Sequence, residues 1–409
     1  MNLKSAILIL MSLVVGTAKA QISKYAPAPP MGWNSWNYFG KEAIDEKLIR
    51  ETIDAMVSSG LKTAGYEYVV VDGGWRDTLL GPKGELLVNK KKFPSGMKAL
   101  ADYAHSKGLK FGLHTVPGTH DCGCDPVGGW GHEEVQFKQF LDWGVDFIKL
   151  DRCRFSLDVN PTYPRKDKRW FAGWDKEGKN IEKAYTIWNR LIVKSGRPIV
   201  LSASAYRFYD WYPKLTNMGR TTGDIKSKQT GGAIFDTGSE RSVMAIAAKN
   251  SLSAAAAGNG YWNDPDMLVT GAQGLTIEEQ QAHFALCCVM SSPLILGNDV
   301  RNMSPAEKKI LLNRQAIAIN QDPTGQGIRV KAEEGKEVWI KKLKSGDAAV
   351  LLLNRNPGNA ATMTISVSDL GLKGKMNFTD IFKGTTDKKK DSFSTAIAAH
   401  SCVFLLVKK

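Results

Sequence analysis

Residues 146–151 read Asp146-Phe147-Ile148-Lys149-Leu150-Asp151, a short apolar run that ends on a carboxylate. Seven further runs share its texture, at 31–36, 66–72, 109–115, 198–204, 218–224, 260–267 and 293–298. Amphipathic segments lie between them. From Glu46 to Leu61 the apolar residues Ile49, Ile53, Met56, Val57 and Leu61 recur on one helical face. Another helix is expected to open at Ser304-Pro305-Ala306-Glu307, with Ser304 as cap, Pro305 in the first helical position and Glu307 completing a capping box. Eight strands separated by helices and buried on both faces suit a closed parallel (β/α)8 TIM barrel. An open doubly wound sheet is the alternative. It would carry a Gly-rich phosphate loop after its first strand, and Gly32-Trp33-Asn34-Ser35-Trp36 supplies none.

After about Gly325 the texture changes. Val338-Trp339-Ile340 and the stretches 348–353, 363–367 and 401–407 are β-like and separated by turn residues. A small antiparallel β-sandwich is expected there. The chain is thus divided into residues 1–20, a catalytic barrel at 21–325 and a sandwich at 326–409. Its 409 residues suffice for one large and one smaller domain, and 43% hydrophobic against 23% charged residues suits a folded protein.

Residues 1–20 read as a secretory signal. Lys4 precedes an apolar run from Ala6 to Val15, and Ala18-Lys19-Ala20 forms an A-x-A cleavage site. The run is too short to span a bilayer, and no later stretch is long enough. The mature chain is therefore expected from Gln21, in the periplasm or outside the cell.

The formal net charge is +14, and losing Lys4 and Lys19 with the signal leaves +12. The lysines are scattered or sit in short tufts such as Lys388-Lys389-Lys390, with no nucleic-acid motif beside them. A solvated basic surface is the simpler reading, with weak attraction to acidic polysaccharide as a secondary one. A homodimer stays open. The six cysteines are too few for a disulfide scaffold, and Cys122-Gly123-Cys124 has no zinc-ribbon spacing. A disulfide from Cys122 or Cys124 to Cys153 is expected, with Cys287 and Cys288 as core thiols.

The chemistry concentrates at the C-terminal ends of the expected strands, where barrel enzymes carry their catalytic residues. Asp72 ends the second strand, Asp151 the fourth and Asp224 the sixth, with Asp264 and Asp266 at the seventh. Any one of them could be a helix cap. Their recurrence beside Trp33, Trp36, Trp75 and Trp262 points to carbohydrate, because aromatic faces pack on the C–H faces of sugars while carboxylates accept hydroxyl protons. No metal ligand set and no cofactor is expected. Glycoside hydrolysis needs two carboxylates. Lys149 shares a strand face with Asp151 and is placed to keep that carboxylate charged. Arg220, four residues before Asp224, serves the other half of the pocket.

In these motifs the chain resembles glycoside hydrolase family 27, the α-galactosidase and α-N-acetylgalactosaminidase group. The matching segments include Pro29-Pro30-Met31-Gly32-Trp33-Asn34-Ser35-Trp36, Ile148-Lys149-Leu150-Asp151, Arg220 with Asp224-Ile225, and Trp262-Asn263-Asp264-Pro265-Asp266-Met267. The resemblance runs from about residue 28 to the C-terminus. It implies a retaining double displacement without metal, with Asp151 as nucleophile and Asp224 as acid/base. It also implies sugar contacts from Trp36, Asp72, Lys149, Arg220 and Asp266, and a Cys122–Cys153 disulfide. Trp75, His114 and Ser204 complete the expected substrate-binding set.

Departures from the family pattern fall around the sugar. The usual pair of aspartates after the second strand is Asp72-Gly73, followed by Gly74 where Cys is frequent. After the third strand stands His114-Thr115-Val116, and after the fifth Ser202-Ala203-Ser204-Ala205-Tyr206, with Ala205 giving room near the 2-position. Arg152 directly follows the nucleophile. His114 could replace a lost contact or be structural. The simplest activity is α-galactosidase. The alternatives keep the mechanism on an α-N-acetylgalactosaminide, β-L-arabinopyranoside or isomalto-type glucan, or reduce the chain to a carbohydrate-binding protein without catalysis.

Overall fold

The computed structural model describes residues 22–158, 162–171, 173 and 178–409. The signal reading at 1–20 lies outside them. Eight parallel strands form one sheet: β1 (Met31–Asn34), β2 (Tyr68–Val71), β3 (Lys110–Thr115), β4 (Phe147–Asp151), β5 (Val200–Ser204), β6 (Met218–Arg220), β7 (Trp262–Asp264) and β8 (Leu294–Leu296). Their order is β8-β1-β2-β3-β4-β5-β6-β7. The sheet closes through Leu268 just past β7: its N–H donates to Ile295 O at 2.8 Å, and its carbonyl accepts from Gly297 N at 3.0 Å. All eight expected strands are present, each shorter than its sequence run. The trimmed C-terminal ends are where the backbone leaves the sheet to present the polar residues.

Helices cover the outside. The first long one, Glu46–Ser58, starts where the Asp45 carboxylate accepts from Leu48 N at 2.8 Å. It buries Ile49, Ile53 and Met56 but leaves Val57 exposed, so Val57 does not share the buried face. Ser304 and Glu307 form the expected capping box, with Pro305 opening the helix. Tyr68, Val70, Phe147, Val200, Met218, Trp262 and Ile295 fill the barrel interior as one apolar cluster. Cys287 and Cys288 are buried in the helix Ile277–Val289, as core thiols.

The C-terminal part holds β9 (Ile328–Glu333), β10 (Lys336–Lys342), β11 (Ala348–Asn354), β12 (Ala361–Ser366), β13 (Met376–Asp380), β14 (Thr385–Lys390), β15 (Ser392–Ile397) and β16 (Ser401–Lys408). Six make one antiparallel sheet in the order β9-β10-β11-β16-β13-β14, and β12 pairs with β15. Val350, Leu352, Met363, Ile365, Phe378 and Leu405 form the core between them. Arg355 fastens this part to the barrel through Asp236, with Nε–Oδ2 2.8 Å and Nη2–Oδ1 3.0 Å. Nζ of Lys341, buried, donates to Ile319 O at 2.7 Å and Asp322 O at 3.0 Å.

Candidate active site

The strand ends converge on one cavity of about 250 Å3, at the small end for ligand pockets and suited to a single sugar ring. Trp36, Asp72, His114, Lys149, Asp151, Arg220, Asp224 and Asp266 all line it.

One half is built from β1 to β5. Asp72 is buried just past β2, where its N–H donates to Ser35 Oγ at 3.0 Å. Its Oδ2 accepts from Lys149 Nζ at 2.7 Å and Asn34 Nδ2 at 2.8 Å, and its Oδ1 from Gly73 N at 2.8 Å. Burial alone would raise this carboxyl, but the charges of Lys149 and His114 and these hydrogen bonds outweigh it and hold it well below the usual range. Burial likewise disfavours the Lys149 ammonium, and the Asp72 and Asp151 charges outweigh it and raise the group. Two residues along the same strand face, Asp151 Oδ2 lies 3.4 Å from Lys149 Nζ. The other Asp151 oxygen, Oδ1, accepts from the Tyr206 hydroxyl at 2.8 Å. His114 Nε2 stands 3.8 Å from Asp151 Oδ2 and 4.0 Å from Asp72 Oδ1. Burial is the largest influence on this imidazole and lowers it, favouring the neutral ring.

The other half comes from β6 and β7. Arg220 Nη2 reaches Asp266 Oδ2 at 2.8 Å and Asp224 Oδ1 at 3.2 Å. Asp266 takes φ 89°, a left-handed conformation rare for a non-glycine residue, and is pinned there. Its Oδ2 accepts from Ile225 N at 2.9 Å and its Oδ1 from Met267 N at 2.8 Å. This bracing ties the loop after β7 to the loop carrying Asp224. Burial and the neighbouring Asp266 push the Asp264 carboxyl up to about 6, against the Arg220 charge.

Two expected contacts are not in the cavity wall. Trp75 is fully buried: its indole N–H donates to His114 O at 3.0 Å and its ring packs edge-on to Trp143. It is a core residue behind His114, not a sugar platform. Ser204 is fully buried at the end of β5 and does not line the cavity. Ala205 is buried as well and does not line the cavity, whereas the next residue, Tyr206, does. Val116 is also fully buried outside the wall.

Cys122 and Cys153 form a disulfide at the cavity edge, and Cys124 is free. The two glycines after Asp72 have steric reasons. A Cβ at Gly73 would come within 3.3 Å of the Trp36 ring. At Gly74, φ is 107° and a Cβ would strike Lys41 O at 2.4 Å.

Tyr206 and Arg76 line the cavity but were not among the expected residues. Tyr206 lies past the end of β5 at φ 64°. A left-handed tyrosine has no sequence signature, and strand alternation stops before it. Arg76 is buried with its Nη1 3.4 Å from Thr115 Oγ1 and its Nη2 3.9 Å from Asp121.

A parallel barrel with paired carboxylates, bracing cations and a tryptophan around one sugar-sized hollow defines a glycoside hydrolase. The comparisons give the family. Residues 28–322 match the family model described as alpha galactosidase A, and residues 333–407 match the alpha galactosidase C-terminal beta sandwich domain. The chain belongs to glycoside hydrolase family 27. It is 37% identical to an alpha-galactosidase of Cyamopsis tetragonoloba over 91% of this chain and 84% of that one. It is also 37% identical to alpha-galactosidase A of Cellvibrio japonicus, over 97% and 96%. Among solved structures, alpha-galactosidase I from Mortierella vinacea superposes with a TM-score of 0.82 at 29% identity, covering 93% of this chain and 97% of that one. A β-L-arabinopyranosidase from Geobacillus stearothermophilus shares the fold, with a TM-score of 0.78 at 23% identity over 95% and 98%.

Proposed function

We propose that the protein is an exported, exo-acting α-galactosidase that works by double displacement with retention. Asp151 attacks the anomeric carbon while Asp224 protonates the departing oxygen. Asp224 then draws a proton from the water that releases the sugar. The observation that carries this reading is the unequal pair of carboxylates on one cavity. Asp151 has 11% of its side chain exposed and is gripped through both oxygens, as a nucleophile requires. Asp224 has 57% of its side chain exposed, and among the described residues its carboxylate is met by Arg220, so it is open to the leaving group and to water. Trp36, Asp72, His114, Lys149, Arg220 and Asp266 bind the sugar at the cleaved end. Galactose is the proposed sugar because the relatives quoted above carry the alpha-galactosidase name. Export rests on the basic start, apolar run and A-x-A site of residues 1–20, and the domain division is placed near residue 325.

Asp151→Ala is expected to abolish turnover of an aryl α-galactoside, and azide to restore it with a galactosyl azide of inverted configuration. Full activity in Asp151→Ala ends the assignment. A second reading keeps the mechanism and changes the sugar. It is favoured by Gly73, which offers no side chain where a second carboxylate would hold a hydroxyl, while Asp72 is already engaged through both oxygens. A panel of aryl galactosides, N-acetylgalactosaminides, arabinopyranosides and glucosides separates the two by kcat/KM.

A further inference from the structure

We propose that Tyr206 is a positioning residue that speeds the second half of the reaction, the release of the sugar from Asp151. The inference rests on the double-displacement reading above.

The Tyr206 hydroxyl lies 2.8 Å from Asp151 Oδ1 in the cavity wall. Three features hold it there as a donor. Burial first, and then the charges of Asp151 and Asp224, raise the phenol well above its ordinary range, so the proton stays on the tyrosine. The backbone takes φ 64°, which a tyrosine adopts only when its surroundings impose it. The guanidinium of Arg152, the residue after the nucleophile, sits 5.2 Å from the centre of the ring.

A hydroxyl donates more strongly to a carboxylate than to a neutral ester oxygen. In the first step an Asp151 oxygen forms the bond to the anomeric carbon. The bond to the leaving oxygen breaks, and that oxygen takes its electron pair and the Asp224 proton. Asp151 loses its charge as this happens, and its bond from Tyr206 weakens. In the second step Asp224 takes a proton from water, the water oxygen bonds to the anomeric carbon, and the ester electron pair returns to Asp151. The negative charge re-forms against the waiting hydroxyl. Relative to the state that precedes each step, Tyr206 therefore favours the transition state of release and not that of attack. Lys149 faces the same carboxylate at 3.4 Å but also grips Asp72 at 2.7 Å, so its removal disturbs more than this one charge.

The test is Tyr206→Phe against wild type, with an aryl α-galactoside carrying a good phenolate leaving group, followed by stopped flow. Release is expected to slow roughly tenfold relative to attack, the effect of one hydrogen bond to a charged group. The kcat and KM then fall together, kcat/KM changes little, phenolate appears in a stoichiometric burst, and azide raises kcat. An unchanged ratio of the two steps overturns the proposal, as does a fall in kcat/KM with KM unchanged and no burst. Trapping with a 2-fluorogalactosyl fluoride separates this from the parent reading. Wild type without an adduct on Asp151 overturns both, whereas an adduct in wild type with no burst in the variant overturns only the role of Tyr206. Arg152→Met, which frees the ring while leaving the hydroxyl, is the second variant. It is expected to move the same ratio in the same direction by less, and an unchanged ratio there with a folded but unaltered Tyr206→Phe counts against the proposal.

Discussion

Replacing Lys149 by methionine removes the ammonium that bridges the buried Asp72 and Asp151, at 2.7 and 3.4 Å. Breaking a buried ion pair from one side costs about 3–5 kcal/mol, because a charge is left without its partner. Asp72 keeps its bonds from Asn34 and Gly73, so the expected loss of unfolding free energy at pH 7 lies at the lower end, about 3 kcal/mol. The pH dependence carries the sharper test. In wild type the Asp72 carboxyl is lowered below its unfolded value, so its stabilisation is complete above about pH 4 and is lost on acidification below that. In Lys149→Met the main lowering influence is gone and burial dominates, so the carboxyl rises above its unfolded value. The variant then gains by taking up a proton, and its deficit relative to wild type shrinks as pH falls from 7 to 5. Urea unfolding of both proteins at several pH values measures this, and Asp72→Asn in the same background should recover part of the loss. A deficit under about 1 kcal/mol, within the range of exposed pairs and flat with pH, would refute the reasoning.

His283, buried in the helix Ile277–Val289, is pushed down to about 4 by burial alone. Between that value and the unfolded one near 6.5 the unfolded chain holds more protons, so stability is present at neutral pH and lost on acidification. His283→Leu should lose about 2 kcal/mol less than wild type between pH 7 and 5, read by urea unfolding. The Cys122–Cys153 disulfide closes a loop of sequence separation 31, and Cys153→Ser should destabilise by roughly 3–4 kcal/mol in the chain-entropy account. Because that bridge edges the cavity, kcat/KM should fall as well; a melting point and activity equal to wild type would show the bridge to be dispensable.

The barrel was legible because its strands are buried on both faces, which forces near-continuous apolar runs such as Phe147-Ile148-Lys149-Leu150. The capping box at Ser304 was legible for a similar reason, since local chemistry alone defines it. In the sandwich, β9, β13, β14 and β15 escaped notice; β14, Thr385–Lys390, is an exposed edge strand rich in lysine, with no apolar face to register. Within the site, residues on strand geometry were found. Lys149 and Asp151 share a face by simple alternation, and Arg220 follows from its strand end. Trp75 was misplaced because a tryptophan near a carboxylate looks the same in sequence whether it faces a sugar or closes the wall behind His114. Only the packing against Trp143 separates the cases.

Two left-handed residues of this pocket, Tyr206 and Asp266, flank the two carboxylates proposed as catalytic. Tyr206 fixes one oxygen of Asp151, and Asp266 fixes the arginine that reaches Asp224. Each left-handed residue costs roughly 1–3 kcal/mol, which the surrounding structure must overcome. It does so differently on the two sides. Asp266 is tied by two backbone N–H groups and a guanidinium, whereas the Tyr206 side chain, among the described residues, is held by its hydrogen bond to Asp151 and the Arg152 face contact. The Asp224 side is thus braced by a charge shared between two carboxylates, which leaves Asp224 exposed, as the proposed acid/base role requires. On the Asp151 side a neutral donor meets a carboxylate whose charge, in the proposed mechanism, disappears and returns once per turnover. Such a donor adds no fixed charge to a pocket where Lys149 already balances Asp72, and in that mechanism it supplies its strongest contact only when Asp151 is free.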